Sequence, residues 1–245
     1  MLVGLLLLRI WLFFPLWLLL MPGLIYILIT SYGSASIQSG YFVNSIVKGN
    51  TQRRQIVLSF DDGPTADYTP GVLKILAEQQ ISATFFCIGE QIEQHPDVLI
   101  NIHQAGHLIG NHSYSHSLWF DFFSAKKVEQ ELIKTDEMIE KLTQQRPKWF
   151  RPPYGVSNPM IAKALKKTKH QLIGWNVRSL DTVIKDEQKV VARIMKQLKP
   201  GAIVLLHDRH PRILVMLPLL LKEIKKADYE VVSAEIFINQ LAYAQ

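Results

Sequence analysis

The sequence predicts an α/β fold of parallel strands wrapped by helices, carried behind an apolar N-terminal segment. Three observations predict it. Strand-like and helix-like signals alternate from Gln55 to the C-terminus, and repeats of that length join parallel strands through outer helices. Ionisable residues gather directly after strand signals, at Asp61-Asp62, His112 to His116, Arg151, Asp181 and His207, and barrel-type α/β folds place their sites at the carboxyl ends of strands. The run from Ile10 to Ile29 carries no charge, and a helix of ~20 such residues crosses a bilayer core of about 30 Å.

Residues 1–30 therefore read as a membrane anchor or a signal segment. Pro15 and Pro22-Gly23 would kink the helix, which membrane spans tolerate. Arg9 is the one charge ahead of the run and favours a cytoplasmic N-terminus. A cleaved signal peptide stays open, because Ser34-Ala35-Ser36 would suit a peptidase. The apolar run exceeds the usual core of about 7–15 residues in such peptides, which favours the uncleaved anchor. A buried core helix fits poorly, since Trp and Phe fall on all faces. Either export route places the following domain on the non-cytoplasmic side, secreted if the N-terminus is removed. Residues 31–54 are rich in Ser and Gly and read as a linker; residues 55–245 form the domain.

Within the domain the apolar runs Gln55–Phe60, Thr84–Ile88 and Ala202–Leu206 read as buried strands, with shorter ones at His107–Gly110, Trp149-Phe150, Gln171–Asn176 and Tyr229–Val232. Helical spacing marks Pro70–Gln80, Pro96–Ala105, Ser124–Gln145, Asn158–Lys167, Asp186–Leu198 and Ile213–Lys226, with a terminal helix after the last strand. Ser124 and Asp186 are candidate N-caps. No internal repeat or low-complexity tract interrupts the series.

Composition narrows the function. The chain has 245 residues, enough for one domain and a short extra segment. The single cysteine, Cys87, excludes an intrachain disulfide and argues against a cysteine-based zinc site, without fixing the compartment. A net charge of +6 suits anionic polymers or membrane surfaces, or simply a solvated exterior. No basic run accompanies a nucleic-acid motif, so nucleic acid is not an expected partner. The oligomeric state is not encoded legibly.

Asp61-Asp62-Gly63-Pro64 leaves a strand into a turn. Neighbouring residues there point to opposite sides, so one carboxylate can hold a metal while the other serves the reacting water. A plain Asp-Gly turn explains Asp62-Gly63 but gives no reason for Asp61. In His112-Ser113-Tyr114-Ser115-His116 two imidazoles lie four apart, on one side of a helical turn, where both can reach one ion. With Asp62 they make the three ligands of a hydrolytic zinc site, with a position left for water. His95, His103, His107, His170 and His210 are expected on surfaces or helix ends. Arg151-Pro152-Pro153-Tyr154-Gly155 reads either as a loop connector or as an arginine that pairs a carboxylate and a rigid turn that offers a backbone N–H.

The segments LSFDDGP, TFFCIG, GNHSYSH, RPPYG and IVLLHD, in this order from Gln55 to Val232, resemble the successive motifs of the NodB-homology polysaccharide deacetylases, the carbohydrate esterase 4 family. The resemblance implies a distorted, incomplete (β/α) barrel, one divalent metal ion (usually zinc), and hydrolysis of acetyl groups from an acetylated glycan by a metal-bound water. Residue by residue it implies Asp61 as catalytic base and Asp62, His112 and His116 as metal ligands. Arg151 would orient the base, the Tyr154 N–H would hold the oxyanion, and Leu205 would wall the acetyl methyl. His207 would be the general acid, with Asp181 as its carboxylate partner. One segment departs: the family's Asp-x-x-Asp-Trp is here Arg178-Ser179-Leu180-Asp181-Thr182, which keeps the second carboxylate and loses the aromatic wall. Two alternatives stand beside this reading. Deformylation or deacetylation of a lipid-linked sugar would suit the anchor and the aromatic run Trp119-Phe120-Asp121-Phe122-Phe123, although core packing accounts for such a run more simply. A non-catalytic glycan-binding module is the other, disfavoured because every acid, base and ligand is present.

Overall fold

The computed structural model describes residues 3–4, 7 and 20–244. In chain order these form α1 (Met21–Ala35), β1 (Ser45–Ile46), β2 (Gln55–Asp61), α2 (Thr69–Glu78), β3 (Thr84–Cys87), α3 (Gly89–Gln94), α4 (Pro96–Gln104) and β4 (Leu108–Asn111). There follow α5 (Ala125–Thr143), β5 (Trp149–Phe150), α6 (Pro159–Thr168), β6 (Gln171–Ile173), β7 (Val177–Arg178) and α7 (Glu187–Gln197). The chain closes with β8 (Ile203–His207), α8 (Ile213–Lys226), β9 (Glu230–Val231) and α9 (Ala234–Ile238).

The strands form one sheet in the order β1-β6-β5-β4-β3-β2-β8-β7, and every strand pair is parallel. β9 adds to the start of β2. Among the described residues β1 and β7 do not pair, so the curled sheet stays open, as an incomplete barrel does. Strand alternation assigns the two sides of β2. Ile56, Leu58 and Phe60 join the cluster under the outer helices, with Val72, Leu76, Leu217 and Leu220. Val57 joins a second cluster with Ile203 and Leu205 of β8, so the same period of two puts Ser59 and Asp61 on the side of β2 away from those helices.

Most expected elements form with boundaries shifted by one or two residues. Ser124 and Asp186 cap their helices, accepting the backbone N–H of Lys127 at 3.3 Å and of Lys189 at 3.0 Å. Asn158 also proves to be a cap, accepting from Met160 and Ile161 at 2.9 Å each. β6 ends three residues earlier than expected, and α3 and β7 are additions. The segment 31–54, expected as a linker, is packed on the domain: Ile37 is buried, and Ser45–Ile46 extend the sheet edge beside Leu172–Ile173.

The apolar run Ile10–Ile29 lies partly outside the described residues. Its described end is the first half of α1, where Leu24 to Ile29 are 48–65% exposed on every side. Among the described residues no helix is long and apolar enough to cross a membrane.

Candidate active site

β2 and β8 run side by side with Asp61 in register with His207, so two strand ends deliver a carboxylate and an imidazole to one place. Arg151, just after β5, is fully buried. Its guanidinium donates to Asp61 Oδ1 at 2.6 Å, Ser59 Oγ at 2.9 Å, the Ile173 carbonyl at 3.0 Å and the Gly174 carbonyl at 2.9 Å. It lies 4.0 Å over the Phe86 ring and 5.5 Å from that of Trp175. Burial pulls its pKa down, and the Asp61 charge opposes that pull; a guanidinium keeps its proton regardless. One oxygen of Asp61 is thereby fixed, and the other lies 3.9 Å from His112 Nε2.

Asp62 takes a left-handed φ of 78°, and this brings its carboxylate to the same cavity as Asp61 instead of the opposite side. Its Oδ1 lies 3.5 Å from His112 Nε2 and 3.3 Å from His116 Nε2. The three ligand atoms all fall within 4.8 Å of one another. His112 Nδ1 meets the Arg151 carbonyl at 2.7 Å. A carbonyl only accepts, so Nδ1 carries a proton, the tautomer that turns Nε2 toward a ligand. Burial, aided by His112, lowers His116 to about 4 against the attraction of Asp62 and Asp61, so the His116 imidazole is neutral near pH 7. Burial would raise the Asp62 carboxyl, but the hydrogen bond and charge of His112, with His207 and His116, hold it well below the usual range. One carboxylate and two imidazoles whose Nε2 atoms face it are the donor set that a zinc-like divalent ion takes. The residues fit such an ion.

The two histidines do not share a helical turn as expected. They converge through an irregular turn with left-handed Ser113 (φ 66°) and His116 (φ 45°). Buried Glu131 of α5 holds it, accepting from the backbone N–H of Tyr114 at 3.2 Å and of Ser115 at 2.8 Å, and from the Ser115 hydroxyl at 2.9 Å. Asn111 accepts from Ser113 N–H at 2.8 Å and donates to Asp136 at 2.7 Å.

On the other side, Asp181 accepts from both the ring and the backbone of His207, at 2.8 Å from Nδ1 and 2.9 Å from N. Ser179 Oγ donates to the same carboxylate at 2.7 Å. Burial would lower His207, but the hydrogen bond and charge of Asp181, with Asp62 and Asp61, outweigh it and raise the pKa. Tyr154 sits at φ 59° in the turn Pro153–Gly155, and its N–H finds no acceptor among the described residues. Gly155 follows at φ 71°, where a Cβ would lie 2.3 Å from Trp175; the close approach and the positive φ both demand glycine.

Asp61, Asp62, His112, His116, Tyr154, Leu205 and His207 all line one open cavity of about 300 Å³. Arg151 and Asp181 are buried behind its wall. Arg178 and Thr182, at the departing motif, lie on the rim. The sequence reading missed several neighbours. Arg209 reaches Asp62 Oδ2 at 3.3 Å, Trp175 floors the cavity, and Leu118 edges it. Arg209 follows the His207-Asp208 pair directly, which was the available signal. Three histidines expected at surfaces or helix ends are inside. His107 accepts from Ala83 N–H, and burial lowers it to about 4. His170 meets Asp136 at 3.2 Å, and His210 meets Asp181 at 3.6 Å.

Comparison with known proteins agrees with this geometry. The sequence profile of the polysaccharide deacetylase family matches residues 48–173. The chain is 31% identical over 206 residues to the peptidoglycan-N-acetylglucosamine deacetylase PgdA of Listeria monocytogenes; the match covers 84% of this chain and 43% of that protein, so the chain spans less than half of that relative. Its fold is similar to the crystal structure of a peptidoglycan N-acetylglucosamine deacetylase, with TM-score 0.77 and 25% identity over 82% of this chain and 95% of the other. It is also similar to a carbohydrate esterase 4 family pseudoenzyme from Bacillus anthracis, with TM-score 0.74 and 26% identity over 81% of this chain and 71% of the other.

Proposed function

Because the chain belongs to the polysaccharide deacetylase family, we propose that it hydrolyses the acetyl groups of an acetylated glycan, with an N-acetylated sugar of the cell-wall class as substrate. One observation carries the reading: the Asp61–Arg151 pair, the Asp62–His112–His116 triad and the Asp181–His207 pair converge on one cavity. A similar fold also serves a pseudoenzyme, so the site and not the fold supports catalysis. Acetate release from a panel of acetylated glycans tests it; no release from any of them, with metal supplied, would leave the binding-module reading.

A divalent ion held by Asp62, His112 and His116 would acidify water and polarise the acetyl carbonyl. The rest is done by side chains and backbone of this chain. Asp61 takes the proton of the attacking water, its carboxylate aimed by Arg151. The Tyr154 N–H, without an acceptor among the described residues, meets the oxygen that becomes anionic; one such donor is typically worth about 3 kcal/mol. His207 gives a proton to the departing amine, and Asp181 keeps that proton on the ring until then. Leu205 offers an apolar wall to the acetyl methyl.

Two outcomes follow. A His112→Ala/His116→Ala protein is expected to fold and to lose its metal, since one carboxylate oxygen cannot hold the ion alone; undiminished occupancy in elemental analysis would remove the ligand assignment. Asp181→Asn is expected to shift the falling, alkaline limb of the pH–rate profile to lower pH. The sign follows from His207. Its pKa is raised in the fold, the general acid works only while protonated, and activity is lost as pH rises through that value. An amide in place of the carboxylate withdraws the charge that raises it. An unmoved limb would take the general-acid role from His207.

The exported, membrane-anchored arrangement is likewise our reading. It is supported by the uncharged run ahead of the domain and by α1, whose large apolar residues stand exposed on every side.

A further inference from the structure

The loop after the metal histidines divides its aromatic residues between two environments. Phe120 is fully buried, and Phe123 packs against it and the inner core. Leu118, Trp119 and Phe122 stand outward, 80, 69 and 80% exposed. The Trp119 and Phe122 rings lie 5.9 Å apart, so they make one apolar ridge, and Leu118 joins that ridge to the cavity mouth. Asp121, between them, keeps one carboxylate oxygen buried instead of projecting with the ridge.

The chain itself indicates what covers this ridge. The end of α1 is tied to the domain by Ser34, whose hydroxyl donates to the Ser157 carbonyl at 2.8 Å and whose carbonyl accepts from Ser157 N–H at 3.0 Å. The next residue, Asn158, donates to the Asp121 carbonyl in the centre of the ridge at 2.7 Å. The apolar helix therefore joins the domain two hydrogen-bonded steps from the exposed aromatics. Met160, in the first turn of α6 two residues after Asn158, is a further exposed apolar side chain, at 43%. The ridge follows the carboxyl end of β4, and Ser157 to Met160 follow that of β5, the face on which the cavity opens.

We infer that Leu118, Trp119 and Phe122 seat this face in the interfacial layer of a lipid bilayer, so that the cavity opens at the membrane surface onto acetylated sugars held there by a lipid carrier. Amphipathic and aromatic side chains favour that layer, and a short apolar ridge enters it without crossing. The inference rests on the anchored reading above, deepening it from where the chain is held to which face is turned to the lipid.

The experiment uses the full chain in phosphatidylcholine–phosphatidylglycerol nanodiscs. Cys87 is buried and is the only cysteine, so an environment-sensitive dye can be placed at Phe122→Cys and, as a control, at Glu78→Cys, where exposed α2 ends ahead of the amino end of β3. The expected result is a blue-shifted dye at 122, quenched by nitroxide lipids labelled near the headgroup, and a water-like dye at 78. A water-like dye at 122 in protein that withstands alkaline membrane washing overturns the inference and leaves the anchor standing; washing the protein off removes the anchor reading itself. A shift at 122 that vanishes at one protein per disc assigns the ridge to a second copy and overturns it too. Trp119→Ser/Phe122→Ser is expected to release acetate from soluble N-acetylglucosamine oligomers within about twofold of the parent, but about tenfold more slowly from the same oligomer carried on lipid in the disc. Equal losses on both would count against it.

Discussion

Asp61→Asn is expected to retain the divalent metal and to lose about 10²–10⁴-fold in acetate release, the range that a general acid or base usually contributes. The substitution is nearly isosteric. The amide oxygen can still accept from Arg151, which now reaches Asp61 Oδ1 at 2.6 Å, while the other oxygen, facing His112 at 3.9 Å, becomes an NH2 that cannot take a proton. The ligands Asp62, His112 and His116 are untouched, so occupancy is the internal control. A loss below about tenfold with the metal retained would take the base role from Asp61, and a loss of metal would make Asp61 part of the ligand set instead.

The carboxylates, imidazoles and arginine of the site were legible because their residue types are costly to place at strand ends without purpose, and because strand periodicity located those ends. The local conformations were not. Ser113, His116 and Tyr154 take positive φ without the Gly or Asn that signals it, so the histidine pair read as helical. Helix α3 has a single interior apolar residue, Ile92, beside Gly89, and β7 has two residues; neither is long enough to show a period. Glu131 looks like a solvent-facing helix position, and the backbone N–H groups that justify its burial lie 16 and 17 residues upstream. His107, His170 and His210 are inside for the same reason: their partners are distant in sequence. In the segment 31–54 the apolar residues Ile37, Val43, Ile46 and Val47 were the signal for packing, outweighed in the reading by Ser and Gly around them. The aromatic run needed coordinates, since alternate members face opposite environments.

Arg151→Met is expected to lower stability by about 3–5 kcal/mol, the usual cost of removing one partner of a buried ion pair, out of the 5–15 kcal/mol that domains generally possess. The chain of causes is short. Arg151 is fully buried and satisfies two carbonyls, a hydroxyl and the Asp61 carboxylate, itself 3% exposed. Methionine fills much of the space between Phe86 and Trp175 but leaves a buried anion without a counter-charge and three other acceptors without a donor. Arg151→Lys should recover only part of the loss, because an ammonium has three donors and no planar fork to reach four acceptors around it. The discriminating measurement is the double variant. If the uncompensated Asp61 charge is the main cost, Asp61→Asn/Arg151→Met will unfold at a higher denaturant concentration than Arg151→Met alone, although it carries one substitution more. Additive destabilisation would locate the cost in packing and the lost carbonyl contacts, and would leave the ion pair with no special part in holding the base.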